Sequence, residues 1–107
     1  MNSHALDDSR YHTLADATFA RIEQRLDDAD LDFEVSGGVL TIEMDDGSKI
    51  ILNRQPPVHE IWLAAKSGGF HFAWDGERWF SKRENASLDE LLHRCIRLQG
   101  GPELGAP

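Results

Sequence analysis

The chain has 107 residues, of which 40% are hydrophobic and 28% charged, and this balance is typical of one folded domain rather than of a disordered segment. No apolar run approaches the roughly 20 residues of a membrane-spanning helix, and residues 1–10 lack the basic and apolar regions of a secretory leader. Cys95 is the single cysteine and has no partner for an internal disulfide, which favours a reducing compartment. We therefore expect a cytoplasmic protein without a membrane partner.

The net charge of −8 is unevenly distributed along the chain. Residues 1–46 contain twelve acidic and three basic side chains, which gives that half −9 and leaves +1 for the remainder. Because the acidic half repels phosphate backbones, we expect no nucleic-acid partner. Cations and basic protein surfaces are compatible with this charge.

The first predicted element is a helix. Tyr11, Leu14, Ala15, Thr18, Ile22 and Leu26 recur at helical spacing, and Asp8 or Ser9 is expected to cap the N-terminus. The pattern predicts an amphipathic helix of about four turns that packs one face against another element.

A period of two residues then predicts an antiparallel sheet. Alternating residues 31–35 and 40–44 are joined by Gly37-Gly38, which indicates a tight hairpin. Further strands are expected at 49–53, 58–66 and 70–74 and around 78–80, with turns containing glycine or proline between them.

The last predicted element is a second helix. Ser87 and Glu90 match a capping box, and Gly100-Gly101-Pro102 ends the helix. Its apolar stripe is expected to contain Leu88, Leu91, Leu92, Cys95 and Leu98. These elements predict an α+β fold, a two-layer sandwich in which both helices pack on one face of an antiparallel sheet of about six strands. We expect a single domain over residues 1–107, with a core at about 9–99, a short flexible N-terminus and a C-terminal tail over 100–107.

An acidic surface on the first helix is the first candidate site. Asp16, Glu23 and Asp27 lie in one sector of the helix, and further acids follow its end. Each like-charge pair at helical spacing costs about 0.2–0.5 kcal/mol, and acids at a helix C-terminus oppose the macrodipole. Oxygen ligands suit hard cations such as Mg²⁺, Ca²⁺, Mn²⁺ and iron. The pattern leaves two interpretations open, a weak cation site or a solvated acidic face. We name this surface the acidic ridge; its residues are Asp16, Glu23, Asp27, Asp28, Asp30 and Asp32.

Trp62 is the second candidate. In a strand it shares its face with Glu60 and Lys66, so that face is expected to meet solvent, with Asn53 and His71 on the same surface. An exposed tryptophan on a sheet is typical of a protein-binding anchor. The alternative is a tryptophan buried beneath a loop or the C-terminal tail.

Catalytic motifs are missing from the sequence. It contains no nucleophile elbow, P-loop or zinc-protease motif, and Cys95 is interpreted as a small core residue. Asp28, Asp30 and Asp32 resemble the start of a calcium loop, but Phe33 and Val39 occupy its glycine and glutamate positions. We therefore expect a protein without an active site of its own.

Four segments resemble the frataxin family, particularly its bacterial CyaY branch, over about residues 9–99. They are Arg25-Leu26-Asp27-Asp28, Ser36-Gly37-Gly38-Val39-Leu40-Thr41-Ile42, Asp46-Gly47-Ser48-Lys49-Ile50-Ile51-Leu52-Asn53-Arg54-Gln55-Pro56-Pro57 and Ile61-Trp62-Leu63-Ala64-Ala65-Lys66-Ser67-Gly68-Gly69-Phe70-His71-Phe72.

The resemblance implies an α–β-sheet–α sandwich and a role in iron–sulfur cluster assembly. It implies weak binding of Fe²⁺ and Fe³⁺, with other divalent cations as alternatives, on the acidic ridge. It also implies docking on the cysteine desulfurase and the iron–sulfur scaffold complex, by a monomer or an iron-dependent oligomer, which modulates the assembly rate. A ferroxidase and an iron chaperone or store are the alternatives. Gln24, where many members have a second glutamate, and a short link from Asp28 to Phe33 imply a lower iron capacity. The partner-binding residues implied are Glu23, Asp27, Asp28, Asn53, Gln55 and Trp62.

Overall fold

A computed structural model describes residues 6–105; the N-terminal residues expected to be flexible, 1–5, and the last two of the tail lie outside this range. The elements in chain order are α1 (Asp8–Asp28), β1 (Asp32–Ser36), β2 (Val39–Glu43), β3 (Lys49–Gln55), a 3₁₀ turn (Pro56–Val58), β4 (Glu60–Ala65), β5 (Gly68–Trp74), β6 (Trp79–Ser81), β7 (Ala86–Ser87) and α2 (Leu88–Leu98). The strands form one antiparallel sheet whose spatial order is the chain order. The predicted α+β sandwich is confirmed.

Within residues 6–105 the sheet has seven strands instead of about six. The additional strand, β7, contains two residues and leads directly into α2. A strand this short has no alternation that a sequence pattern can reveal.

The core lies between the helices and one face of the sheet. Side chains of α1, α2 and alternate positions of the strands form a single buried cluster. On the sheet side, this cluster contains Leu40, Ile42, Ile50, Leu52, Ile61, Leu63 and Phe72. The outer face of the sheet, which carries the intervening side chains, is not covered by either helix.

α1 begins earlier than the sequence predicted. The N-cap is Asp7, whose carboxylate accepts a hydrogen bond from the Arg10 amide at 2.7 Å. The prediction of Asp8 or Ser9 as the cap is therefore wrong. Asp7 has an extended backbone, which brings its carboxylate to the free amide of the third helical residue.

The capping box of α2 is confirmed, with Ser87 and Glu90 bonded reciprocally. Leu98, however, does not join the apolar stripe, because its side chain is 66% exposed. The tail turns back beside Ile96, where the Gly101 amide donates to the Ile96 carbonyl at 2.8 Å. The tail therefore covers the side of α2 that carries Ile96 and leaves Leu98 in solvent. Cys95 is buried, as expected.

Within residues 6–105, no helix is both long enough and apolar enough to cross a membrane.

Candidate binding surfaces

The carboxylates at the end of α1 form the C-terminal part of the acidic ridge. Asp27 and Asp28 lie in the last turn, and Asp30 follows with a left-handed backbone (φ 56°) that ends the helix. All three are exposed, and Glu23 is half-buried one turn earlier. The helix C-terminus thus gathers negative charge at the end where the macrodipole is itself negative.

Asp16 differs from this group because it forms an ion pair. Its Oδ1 contacts Arg54 Nη1 at 2.6 Å, and the Arg54 guanidinium also lies over the Phe19 ring at 4.6 Å. Arg54 belongs to β3, so the contact joins residues 38 positions apart. The N-terminal end of the predicted ridge is therefore neutralised by a residue that sequence reasoning did not associate with it.

Asp32 lies on the other face of the sheet. Its neighbour Phe33 pairs with the buried Ile42, which places Phe33 toward the helices and Asp32 outward. Asp32 is directly opposite Glu43 in β2. The acidic ridge consequently continues around the β1 edge and onto the outer face, rather than along α1 alone.

Arg21 and Arg25 of α1 are directed away from the ridge. Arg21 Nη1 and Arg25 Nη1 both contact Asp89 Oδ1 at 2.9 Å, and Arg25 Nη2 donates to the Gly105 carbonyl at 3.0 Å. Only 9% of the Arg25 side chain is exposed. The two arginines therefore tie α1 to α2 and the tail, where the Asp89 carboxylate offsets part of their positive charge.

Asp28 has one polar neighbour on α1, since Gln24 Nε2 donates to its Oδ1 at 3.0 Å. An amide of this kind orients the carboxylate without neutralising it. Among residues 6–105, no three His, Cys, Asp or Glu side chains converge to enclose a metal ion. His12, one helical turn before Asp16, is exposed and lies with its ring edge-on to Tyr11. The donor set suits weak, open binding of a hard cation to oxygen atoms.

The outer face of the sheet carries the second surface. Trp62 is half-exposed and is flanked in register by Asn53 of β3 and His71 of β5. Gln55 shares the face two residues beyond Asn53 and lies opposite Glu60. The strand register thus brings together Asn53, Gln55 and Trp62. The alternative of a tryptophan beneath the tail is wrong, because the tail reaches Arg25 on the helix side.

Two contacts orient Trp62. Its Nε1 donates to Glu60 Oε1 at 2.7 Å, and its ring stacks on His71 with centroids 4.1 Å apart and planes 9° apart. Sequence alternation predicted that these three side chains share a face. The stack depends on the register of β4 against β5, and the hydrogen bond within β4 depends on the side-chain conformations of Glu60 and Trp62. Alternation specifies neither.

Local hydrogen bonds and burial shift three pKa values. The Ser48 hydroxyl and amide, together with Lys66, hold the pKa of Asp46 well below its ordinary value. Backbone amides of Arg78 and Glu77 lower the pKa of Asp75. Burial raises the pKa of Tyr11, whose hydroxyl donates to the Glu60 carbonyl at 2.7 Å. Both aspartates therefore stay charged at neutral pH, and Tyr11 stays neutral.

Comparison with known proteins gives a consistent assignment. The frataxin-like domain family matches residues 4–101. A frataxin from Psychromonas ingrahamii, of the CyaY protein family, is 30% identical with a TM-score of 0.85, and the match covers 92% of this chain and 96% of that one. Yeast frataxin is 28% identical with a TM-score of 0.69, over 87% of this chain and 85% of that one.

A trimeric frataxin from Saccharomyces cerevisiae, complexed with ferrous iron, is 27% identical with a TM-score of 0.64, over 89% of this chain and 87% of that one. The family match spans nearly all of the described fold, including α1, the sheet and α2. The chain belongs to the frataxin family and is of the CyaY type.

Proposed function

We propose that this protein is a cytoplasmic, iron-binding regulator of iron–sulfur cluster assembly that docks on the cysteine desulfurase and its scaffold complex and changes the assembly rate. One observation supports this most strongly: Asp27 and Asp28 are exposed while Arg21 and Arg25 of α1 are bound to Asp89. An uncompensated negative surface attracts both cations and basic protein surfaces.

In this proposal the protein binds iron weakly, either to carry it or to respond to it. Glu23, Asp27, Asp28 and Asp30 supply oxygen ligands from the end of α1 and its following turn. Exposed, unenclosed carboxylates exchange their ion readily and discriminate little between Fe²⁺, Fe³⁺ and other divalent cations. The ferrous complex of the yeast relative supports iron as the physiological ion.

Docking uses both surfaces. The acidic ridge, through Glu23, Asp27 and Asp28, steers the protein toward a basic surface of the partner. The outer face then provides contacts through Trp62, with Asn53 and Gln55 beside it. Tryptophan is enriched among the residues that dominate binding energy at protein interfaces.

A regulator is favoured over a ferroxidase for a geometric reason. Metal sites that perform redox chemistry hold their ion with oriented, convergent ligands. In residues 6–105 the ridge carboxylates are spread over α1, its end turn and β1. Such a surface is better suited to transient ion binding and protein contact than to oxidation of Fe²⁺.

The iron part is tested by anaerobic thermal unfolding with increasing Fe²⁺ or Mn²⁺. In the wild-type protein, the ion should raise the melting temperature by mass action. Glu23→Gln/Asp27→Asn/Asp28→Asn should raise metal-free stability slightly and remove most of the metal-dependent gain. The matched control is Glu77→Gln/Glu84→Gln/Glu103→Gln, which removes three acids outside the ridge. An equal metal response in both triple variants would contradict the proposal.

The docking part is tested with the purified desulfurase and scaffold complex. Trp62→Ala should raise the dissociation rate and reduce the effect of this protein on cluster assembly. Sedimentation with and without Fe²⁺ distinguishes a monomer from an iron-dependent oligomer, an arrangement for which the trimeric yeast relative is the precedent. Unchanged partner binding by Trp62→Ala would show that the outer face does not dock.

A further inference from the structure

Glu60 lies beside both rings of the Trp62–His71 stack. Its Oε1 accepts the Trp62 indole proton at 2.7 Å and lies 4.0 Å from His71 Nδ1. The Glu60 side chain is 28% exposed and that of His71 is 58% exposed, so the stack stands at the surface with its carboxylate partner partly beneath it. One carboxylate thus touches each of the two stacked rings.

The position of Glu60 is fixed from the core side. Its carbonyl accepts the hydroxyl proton of Tyr11, a residue with no exposed surface. Its backbone also belongs to β4, which is paired on both sides by β3 and β5. The carboxylate therefore extends from a rigid strand, and its hydrogen bond restricts the motion of the Trp62 indole.

The stack separates two hollows of the outer face. A hollow of about 540 Å³ lies on the side of Glu60, Ala73 and Phe80, and a smaller one of about 190 Å³ lies on the side of Ile51 and Ala64. His71 lines both. Trp62 lines the smaller hollow, so rotation of the indole away from His71 would change the wall of that hollow. The shape offered to a partner on that side therefore depends on the stack.

We propose that Glu60 is a positioning residue that holds Trp62 stacked on His71, so that the docking face is already in its binding shape before the partner arrives. The part of this inference that concerns binding rests on the proposed function; the part that concerns the stack does not. Immobilising a side chain before binding lowers the entropy lost at the interface. We expect loss of the Glu60 carboxylate to weaken partner binding by about fivefold.

The first experiment needs no partner. In ¹H–¹⁵N NMR spectra of the isolated protein, the Trp62 indole proton should show the shift of a hydrogen-bonded group, and His71 ring protons should be displaced by the indole ring current. Glu60→Ala should move both sets of signals toward solvent-exposed values, and Glu60→Gln, which retains an acceptor oxygen, should preserve most of the difference. Glu77→Ala, an exposed acid on the β5–β6 turn, is the control and should change neither. Unchanged Trp62 and His71 signals in Glu60→Ala would overturn the proposal.

The second experiment measures binding to the desulfurase and scaffold complex. Glu60→Ala should raise Kd by about fivefold, Glu60→Gln should stay near wild type, and Glu60→Ala should add nothing in a Trp62→Ala background. An equal loss in Glu60→Gln would show that the charge of Glu60 contacts the partner directly, and the positioning role would be wrong. Moved NMR signals with unchanged binding by Glu60→Ala would equally refute it. If Trp62→Ala binds normally, the docking surface of the proposed function fails, whereas the NMR result still decides whether Glu60 orders the stack.

Discussion

Among the partly exposed acidic side chains, Asp89 is expected to contribute most to stability. Removal of its carboxylate should therefore destabilise the fold more than removal of any other acid in that group. Asp89 Oδ1 receives both Arg21 and Arg25 at 2.9 Å, and the Arg25 side chain is 9% exposed. Within residues 6–105, Arg25 Nε already has no hydrogen-bond partner. Asp89→Ala therefore leaves a nearly buried guanidinium with the Gly105 carbonyl as its remaining acceptor.

The size of the stability loss follows from the burial of Arg25 and Asp89. Breaking a fully buried ion pair by removing one partner costs about 3–5 kcal/mol, whereas an exposed pair contributes about 0–1 kcal/mol. Asp89 is 28% exposed and Arg21 39%, so the pair with Arg21 adds little. Asp89 also lies in the first turn of α2, where an acidic side chain is stabilising. We expect Asp89→Ala to lower the free energy of unfolding by about 2–3 kcal/mol.

Urea titration followed by far-UV circular dichroism measures this loss. Glu103→Ala, an exposed acid of the tail, is the control and should stay within about 0.5 kcal/mol of wild type. The double variant Arg25→Met/Asp89→Leu should recover most of the stability, because no unpaired buried charge remains. Equal stability of Asp89→Ala and Glu103→Ala would refute the reasoning, and so would a double variant as unstable as Asp89→Ala.

Three further predictions concern Tyr11, Gly101 and Trp62. The raised pKa of Tyr11 means that this side chain ionises first in the unfolded chain, so its contribution to stability should be constant below pH 10 and fall as the pH rises above it. Tyr11→Phe should abolish this alkaline loss in urea titrations at several pH values, and should cost about 0.5–1.5 kcal/mol at neutral pH through the bond to Glu60. A Cβ at Gly101 would lie 2.6 Å from Ile96 Cγ2 and 2.7 Å from Met44 Cε, so Gly101→Ala should lose about 1–3 kcal/mol in thermal unfolding. Gly105→Ala, which adds its Cβ in open space, is the control and should lose far less. Trp62→Ala should cost much less in urea than the roughly 3–5 kcal/mol of a buried tryptophan, and a loss of that size would place Trp62 in the core.

The periodicity of the sequence predicted most of the fold. Alternation in residues 31–44 predicted the first hairpin and the buried face of β2, although Val35 of β1 is 46% exposed, and the spacing of Leu88, Leu91, Leu92 and Cys95 predicted the buried side of α2. The other predictions that were wrong concern the ends of the helices. The N-cap moved to Asp7 and Leu98 was left exposed, because a cap and a returning tail depend on a few backbone angles that periodicity does not record.

The sequence predicted which residues form the candidate sites, but not which of their charges are paired. Clustering identified Asp27 and Asp28, and alternation identified the face of Trp62. The contacts that decide which acids remain free join distant residues: Asp16 with Arg54, and Asp89 with Arg25 64 positions earlier. Pairings at such separations follow from the packing of α1 against β3 and α2. No local pattern in the sequence specifies them.

The central claim is that the uncompensated C-terminal part of the acidic ridge steers this protein to its partner, and association kinetics at several salt concentrations test it most directly. Screening acts over about 8–10 Å at 0.10–0.15 M salt, so the association rate with the desulfurase should fall steeply as salt is added. Asp27→Lys/Asp28→Lys should bind at the high-salt rate even in low salt, whereas Glu77→Lys/Glu103→Lys, the matched reversal outside the ridge, should keep most of the salt dependence. Trp62→Ala should act on the dissociation rate and leave that dependence unchanged. A salt-independent association rate, or a Trp62→Ala variant that loses the salt dependence, would contradict the claim and leave the acidic ridge as a solvated face.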